Sequence, residues 1–372
     1  MTTNRCGRVL NRSLGWTLGR MLIGGLAATL FAAQMTGLAR AADSPKETAA
    51  ESAPVKIVGD GASFPAPLYL RWFRDYYKQH PNVRIDYQST SSAGGIRDLI
   101  NGRVDFAGSD LRLSDEQQAQ IQGGVRQVPM TAGAIVLVYN LDGVADLKLS
   151  REAVVGILMG RVERWNDPLI AADNPDTALP DLPISVVVRG DGSGTTYHLT
   201  RHLSVASPEF AQTIGTTMTP NWPKSLKQRG MLIKGNGNDG VAAFVRAIPA
   251  SIGYVQYAYG YLSGMSMAAL QNRAGKLVAP DQASFAAALD AISADPDRNG
   301  IADPGGDRSY PIIALSWLLL RNDFEDPAKR QALLDVIDYA LGPGQEMSEQ
   351  LGYIRFSDQA GDYVRGLLTN DR

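Results

Sequence analysis

Apolar residues at Leu68, Trp72, Phe73 and Tyr76 share one helical face and predict an amphipathic helix over residues 66–79. Ahead of it, residues 55–58 form a short apolar run with β-type residues. Behind it, after the breaker His80-Pro81-Asn82, residues 83–87 alternate as a strand does. The same order recurs downstream. A polar, serine-rich turn (88–95) leads into a helix (96–101), and a short strand (104–107) ends in the turn Gly108-Ser109-Asp110. Further strands are expected at 134–139, 184–188, 252–257 and 311–320. Helical spacing returns at 149–159, 197–203, 241–247 and 326–341, while Arg164-Trp165-Asn166-Asp167-Pro168 reads as a structural turn. Strands alternating with helices predict parallel β/α packing rather than an antiparallel sandwich. No repeat of solenoid period is present. Small polar residues follow three of the strand ends, and in open α/β sheets ligands collect at the carboxyl ends of strands.

Arg189-Gly190-Asp191-Gly192-Ser193-Gly194-Thr195-Thr196 joins one predicted strand to the next predicted helix. Small residues let the backbone turn sharply and present its N–H groups, and the helix start adds partial positive charge, a combination that binds anions. Ser193, Thr195 and Thr196 add hydroxyls, and Arg189 adds a fork of donors suited to a tetrahedral oxyanion. No G-x-x-x-x-G-K-[ST] spacing is present, so this is not a Walker loop. Taken alone, the stretch reads equally well as a plain glycine-rich connection.

The chain has 372 residues, 36 of them basic and 38 acidic. Arg5, Arg8, Arg12 and Arg20 precede an uncharged apolar stretch at 21–33, and Ala39-Arg40-Ala41 follows. This predicts a signal peptide over residues 1–41, cleaved near Ala41, and hence an exported protein. The apolar core is shorter than the roughly 20 residues of a membrane-spanning helix, which leaves an uncleaved anchor as the lesser alternative. Cys6 is the only cysteine and lies ahead of the apolar core, unlike the acylated cysteine of a lipoprotein. Residues 42–54 are expected to form a flexible leader. Loss of residues 1–41 removes five arginines and no acid, moving the net charge from −2 to −7. Such a chain is not expected to bind nucleic acid or an anionic membrane, and any anion site must be built locally. The remaining length suggests two lobes stabilised without disulfides.

Four ordered segments now combine: Gly59-Asp60-Gly61-Ala62-Ser63-Phe64-Pro65-Ala66-Pro67, residues 87–95, Gly108-Ser109-Asp110, and residues 189–196. Together they resemble the periplasmic phosphate-binding proteins of ABC-type phosphate importers, over about residues 55–356. Residues 234–244 and Ile252-Gly253-Tyr254-Val255 are also similar and are expected to shape a lobe without supplying ligands. The resemblance implies a two-lobed type II periplasmic binding protein, each lobe a mixed β-sheet flanked by helices. Lobe 1 would comprise 55–140 and 310–372 and lobe 2 would comprise 141–309, with crossovers near Asn140-Leu141 and Tyr310-Pro311. It implies phosphate binding by Ser63, the Phe64 N–H, Ser92, Asp110, Arg189, Ser193, Gly194 and Thr195, with Asp191 orienting Arg189. The implied partners are inorganic phosphate and the permease and ATPase subunits of an importer, with the protein itself a monomer. Ala93 and Ser89-Thr90-Ser91 depart from the family's usual serine- and glycine-rich pattern, as does the chain after Tyr353.

Within that set Asp110 is a carboxylate aimed at an anion. It makes sense only if the ligand carries a proton to donate, as phosphate does and sulfate at neutral pH does not. A site built around one hydrogen bond rejects analogues lacking it by roughly 10⁴ in favourable cases. Alone, Asp110 reads first as a cap for the following turn, and Arg189 could be a surface ion pair; beside the other segments both readings recede.

Other motifs carry less. His198 and His202 stand four apart, a metal-compatible spacing, but without HExxH the expectation is packing, and neither metal nor cofactor is expected. Asp295-Pro296-Asp297-Arg298-Asn299-Gly300-Ile301-Ala302-Asp303 begins like a calcium loop, yet Gly306 replaces the bidentate glutamate, so a solvated turn is preferred. No nucleophile elbow, cysteine nucleophile after residue 41 or dinucleotide fingerprint supports an enzyme. A secreted phosphatase or a phosphate sensor on the same fold is the alternative.

Overall fold

The computed structural model describes residues 54–293 and 299–369. The signal-peptide and leader readings over residues 1–53 lie outside the described residues, as does the start of the calcium-like loop through Arg298. Twelve strands are present among the described residues: β1 (Val55–Gly61), β2 (Val83–Ser89), β3 (Phe106–Ser109), β4 (Val125–Asn140), β5 (Lys148–Leu149), β6 (Ser185–Arg189), β7 (Leu232–Gly235), β8 (Ser251–Gln256), β9 (Ser266–Met267), β10 (Ala269–Gln271), β11 (Leu277–Val278) and β12 (Ile313–Arg321). The main sheet runs β2-β1-β3-β12-β4-β8-β6-β7, with β9 on β4, and β11-β10-β5 form a small second sheet.

The parallel packing read from the alternation of elements is correct within two groups and incomplete between them. Strands β1, β2 and β3 are mutually parallel, as are β6, β7 and β8. Strands β4 and β12 are antiparallel to each other, β12 is antiparallel to β3, and β4 to β8. The sheet is therefore mixed, because the chain crosses between its halves twice on strands that oppose their neighbours. Strand β4 does the linking. Up to Ala134 it pairs with β12, and from Ile135 onward with β8. The two parallel groups consequently run in opposite senses, each toward the point where β4 changes partner, and all their carboxyl ends face one gap.

Helices cover both halves. Ala66–Gln79 begins behind Pro65, with a second proline inside its first turn where no N–H is needed, and buries Leu68, Tyr69, Trp72, Phe73 and Tyr76. The Trp72 indole donates to the Gly344 carbonyl at 2.7 Å, which satisfies its one polar atom inside the core. Ser92–Ile100 and Pro327–Leu341 pack on the same half, and Gly194–Ala206 and Gly237–Ala247 on the other. Three helices start earlier than expected from periodicity: at Ser92 rather than 96, at Gly194 rather than 197, and at Gly237 rather than 241. Their first turns are built largely of serine, threonine, glycine and asparagine. These residues favour caps and turns by propensity, and tertiary packing has drawn them into helix. No helix among the described residues is long and apolar enough to cross a membrane.

Candidate functional site

The loops after β1, β2 and β3 are tied together before any ligand is considered. Ala62 N–H donates to Gly108 O (2.8 Å), Thr90 N–H to Gly61 O (2.8 Å), and the Tyr87 hydroxyl to Ala62 O (2.8 Å). Gly61 has φ +133°, and a Cβ there would sit 2.1 Å from Gly108 O, so only glycine lets these backbones meet. Ser63 and Phe64 follow immediately and are buried. Their carbonyls are held by the Tyr259 hydroxyl (2.6 Å) and the Tyr353 hydroxyl (2.7 Å) respectively. Ser91 caps the helix Ser92–Ile100 by accepting from Gly94 N–H at 3.0 Å, which leaves Ser92 in its first turn.

Ser92 and Asp110 meet there. The Ser92 hydroxyl donates to Asp110 Oδ2 at 3.5 Å and accepts from the Asp110 N–H at 3.3 Å. On its other side Asp110 Oδ1 accepts from the Ser316 hydroxyl at 2.9 Å. Asp110 is not a helix cap, since the next helix, Asp115–Ala119, is capped by Ser114. Burial pushes the Asp110 carboxyl up to about 7, opposed by hydrogen bonds from Ser316 and Ser92 and by the charge of Arg189. Desolvation outweighs those three because the carboxylate loses water that they only partly replace.

The opposing half supplies the rest. Arg189 ends β6 with its side chain 2 % exposed, forked onto both oxygens of Asp191, with Nε to Oδ1 at 2.8 Å. Its remaining Nη1 reaches Thr195 Oγ1 at 3.4 Å. Asp191 also accepts from Gly237 N–H at 3.3 Å. Ser193 is the N-cap of the helix Gly194–Ala206 and accepts from Thr196 N–H at 3.0 Å. The Gly194 and Thr195 N–H groups thus stand at the unsatisfied, partially positive end of that helix. Thr196 and Arg189 are anchored from behind by the Tyr254 hydroxyl, at 2.7 Å and 3.2 Å.

The two halves touch through these residues. A Cβ on Gly194 would lie 2.5 Å from Asp110 Cβ and 2.6 Å from Ser92 Oγ, so glycine is what allows this approach. Ala93 N–H donates to Gly192 O across the gap at 3.1 Å, and a larger side chain at either position would part them. The departure from serine at Ala93 therefore keeps a small residue where one is needed. Ser63, Ser92 and Asp110 are brought against Arg189, Gly194 and Thr195. Phe64 contributes backbone, and Ser193 sits one residue back as the cap.

Two residues of this site escape sequence reading. Asn238, expected only to shape the lobe, bonds both Ser63 and Thr195. Ser316 is fully buried in a strongly apolar strand, and an unexplained hydroxyl inside such a run was the available signal. The register of β12 against β4 shifts between Ser316 and Trp317, which pair with Thr131 and Pro129 and leave Met130 as the extra residue, and such bulges re-aim side chains. His198 donates from Nε2 to the Asp110 carbonyl at 2.7 Å, since a carbonyl can only accept, and burial lowers its pKa to about 4. His202 does the same to Ala302 O from Nδ1 at 2.9 Å, so the two rings serve different carbonyls. Asp303, the last residue of the calcium-like loop, is forked by Arg151 at 2.9 and 2.6 Å.

The arrangement suits a small tetrahedral anion that donates one proton. Many oriented dipoles and one arginine face the gap, and one carboxyl can accept. The raised pKa gives a sign. Above about 7 Asp110 is ionised and repels an anion without a proton; below it the neutral carboxyl can itself donate. Sulfate affinity is therefore expected to rise as pH falls from about 8.5 to about 5.5, the window in which this group gains its proton. Sulfate competition at the two pH values checks this, and an unchanged sulfate affinity would contradict it.

A substrate-binding protein is the class that this fold and cleft define, and the comparisons agree: the model of the PBP superfamily domain matches residues 48–343. The phosphate-binding protein PstS of Xylella fastidiosa (strain 9a5c) is 37% identical over 327 residues, covering 86% of this chain and 87% of that one. PstS of Pasteurella multocida (strain Pm70) is 40% identical over 308 residues, covering 82% and 87%. The chain belongs to the PstS family of phosphate-binding proteins. Its fold is shared with the high-affinity periplasmic phosphate-binding protein PfluDING, with a TM-score of 0.67 at 20% identity over 84% of this chain and 93% of that one.

Proposed function

We propose that the protein is exported, binds inorganic phosphate with high affinity in the periplasm, and delivers it to the permease and ATPase subunits of an ABC-type importer, acting as a monomer. The observation that carries this reading is Asp110, a buried carboxyl placed among Ser92, Ser316 and the Gly194 backbone opposite Arg189. A carboxyl in a donor-rich anion site reads a ligand proton, and phosphate is the common tetrahedral anion that carries one. The names of the relatives support the same ligand. Phosphate would be held by Ser63, the Phe64 N–H, Ser92, Asp110, Arg189, Ser193, Gly194 and Thr195, with Asp191 fixing the guanidinium.

Lobe 1 would comprise residues 55–140 and 310–372, and lobe 2 residues 141–309, with residues 135–140 of β4 carried to the lobe 2 side by their pairing with β8. Ile135 N–H donates to Ile312 O at 3.0 Å where β4 changes partner, which favours a hinge at that pair of crossing strands. A hydrolytic role is not favoured. His198, the histidine nearest the carboxyl, spends its Nε2 on the Asp110 carbonyl and is kept neutral by burial. Phosphate uptake by cells lacking their own receptor tests delivery. Restoration by this chain, and none by its Arg189→Ala variant, is expected; tight binding in vitro without restored uptake would overturn the transport assignment.

A further inference from the structure

Asn238 is fully buried in the first turn of the helix Gly237–Ala247, and every polar atom of its carboxamide is used. Oδ1 accepts from the Gln256 N–H at 2.9 Å. Since that backbone group can only donate, the amide orientation is fixed, with Nδ2 pointing into the site. Nδ2 then donates to Ser63 Oγ at 2.9 Å and to Thr195 Oγ1 at 3.2 Å. Ser63 Oγ also accepts from the Asn238 N–H at 2.9 Å, and Thr195 Oγ1 from Arg189 Nη1 at 3.4 Å.

A hydroxyl oxygen has two lone pairs and one proton. Ser63 Oγ and Thr195 Oγ1 each accept twice, so each has only its proton left, and that proton must point to something else. Asn238 thus removes the freedom of both hydroxyls to accept. It also lies in the half of the sheet opposite Ser63, so half of this arrangement exists only when the two halves meet.

We infer that Asn238 is a positioning residue that sets the Ser63 and Thr195 hydroxyls as obligate donors and does so on closure. The inference rests on the phosphate reading above and deepens it. With these two hydroxyls unable to accept, Asp110 is left to take the ligand proton, and the site reads a single protonated oxygen. Donor orientation and closure are then one event, because the bond that turns the Ser63 hydroxyl toward the anion is also a bond between the halves.

The test is a mutant cycle read by phosphate titration. Asn238→Ala is expected to weaken phosphate binding roughly 10- to 100-fold, the loss of orientation at two hydrogen bonds to a charged ligand. In a Ser63→Ala/Thr195→Val background it should cost no more than about threefold, because the hydroxyls it acts through are gone. Asn238→Asp keeps the acceptor for Gln256 and replaces the donor with an acceptor, drawing both hydroxyl protons away from the anion. Its affinity relative to the parent should be poorest at high pH and improve on acidification as the new carboxyl gains a proton. A residue that only supports the fold would lose affinity additively in the cycle. Additive losses in the cycle overturn the inference; if Asn238→Ala does not fold, a flat Asn238→Asp ratio across pH does so. Failure of the parent to bind phosphate would overturn the phosphate reading itself, whereas tight parent binding with additive losses overturns this inference alone.

Discussion

Arg189→Ala is expected to weaken phosphate and sulfate binding alike, by roughly 30-fold to several thousand-fold, the 2–5 kcal/mol of a buried charge pair broken on one side. Among the described residues the guanidinium is the one cationic group placed in the site, and it is forked by Asp191. Removing it takes away the attraction and also leaves the Asp191 carboxylate without its counter-charge beside the anion. The loss should not discriminate between anions, because Arg189 reads charge and shape and no proton. Arg189→Lys should restore only part of the affinity: an ammonium keeps the charge but cannot hold Asp191 with two parallel bonds while reaching Thr195. Titration of the three proteins with both anions measures this. A selective loss of phosphate, with sulfate unchanged, would contradict the role given to Arg189.

Asp110→Asn is expected to act in the opposite way, changing selectivity far more than phosphate affinity. The amide oxygen can still accept the phosphate proton, so phosphate binding should stay within about tenfold of the parent, whereas the amide N–H₂ can donate to sulfate where the carboxylate repels it. With a parent preference of up to roughly 10⁴ resting on one proton, sulfate should gain on the order of 100-fold or more. Ser316 and Ser92 remain to orient the new side chain. The pH dependence of sulfate binding should also vanish, since the group that titrates near 7 is gone. Competition between phosphate and sulfate at two pH values measures both effects. Sulfate rejection equal to that of the parent would show that Asp110 does not read the proton.

Residues with distinctive side chains at strand ends were legible in the sequence. Arg189, Asp110 and the glycine-rich turn stand where strand-to-helix transitions put ligand groups, and periodicity places the helix Ala66–Gln79 at its observed bounds. What escaped was set by tertiary contact. Asn238 lies in a run of glycine and asparagine where no pattern distinguishes one residue from the next; its importance comes from meeting Ser63 across 175 residues of chain. Ser316 acquires its role only because β12 runs beside β3 and carries its hydroxyl to Asp110. The early starts of the helices at Ser92, Gly194 and Gly237 have the same origin. Local propensity assigns these small residues to turns, whereas packing of the two halves recruits them as helix N-termini that face the gap, where the N–H groups of Ala93 and Asn238 already donate across it.

Isothermal titration of the ligand-stripped protein with phosphate and then with sulfate, at pH about 8.5 where Asp110 is ionised, asks whether the cleft binds phosphate and reads its proton. Phosphate is expected to bind at micromolar concentration or tighter, with no measurable heat from sulfate at the same concentrations. No heat with phosphate, or equal affinity for the two anions, would contradict it.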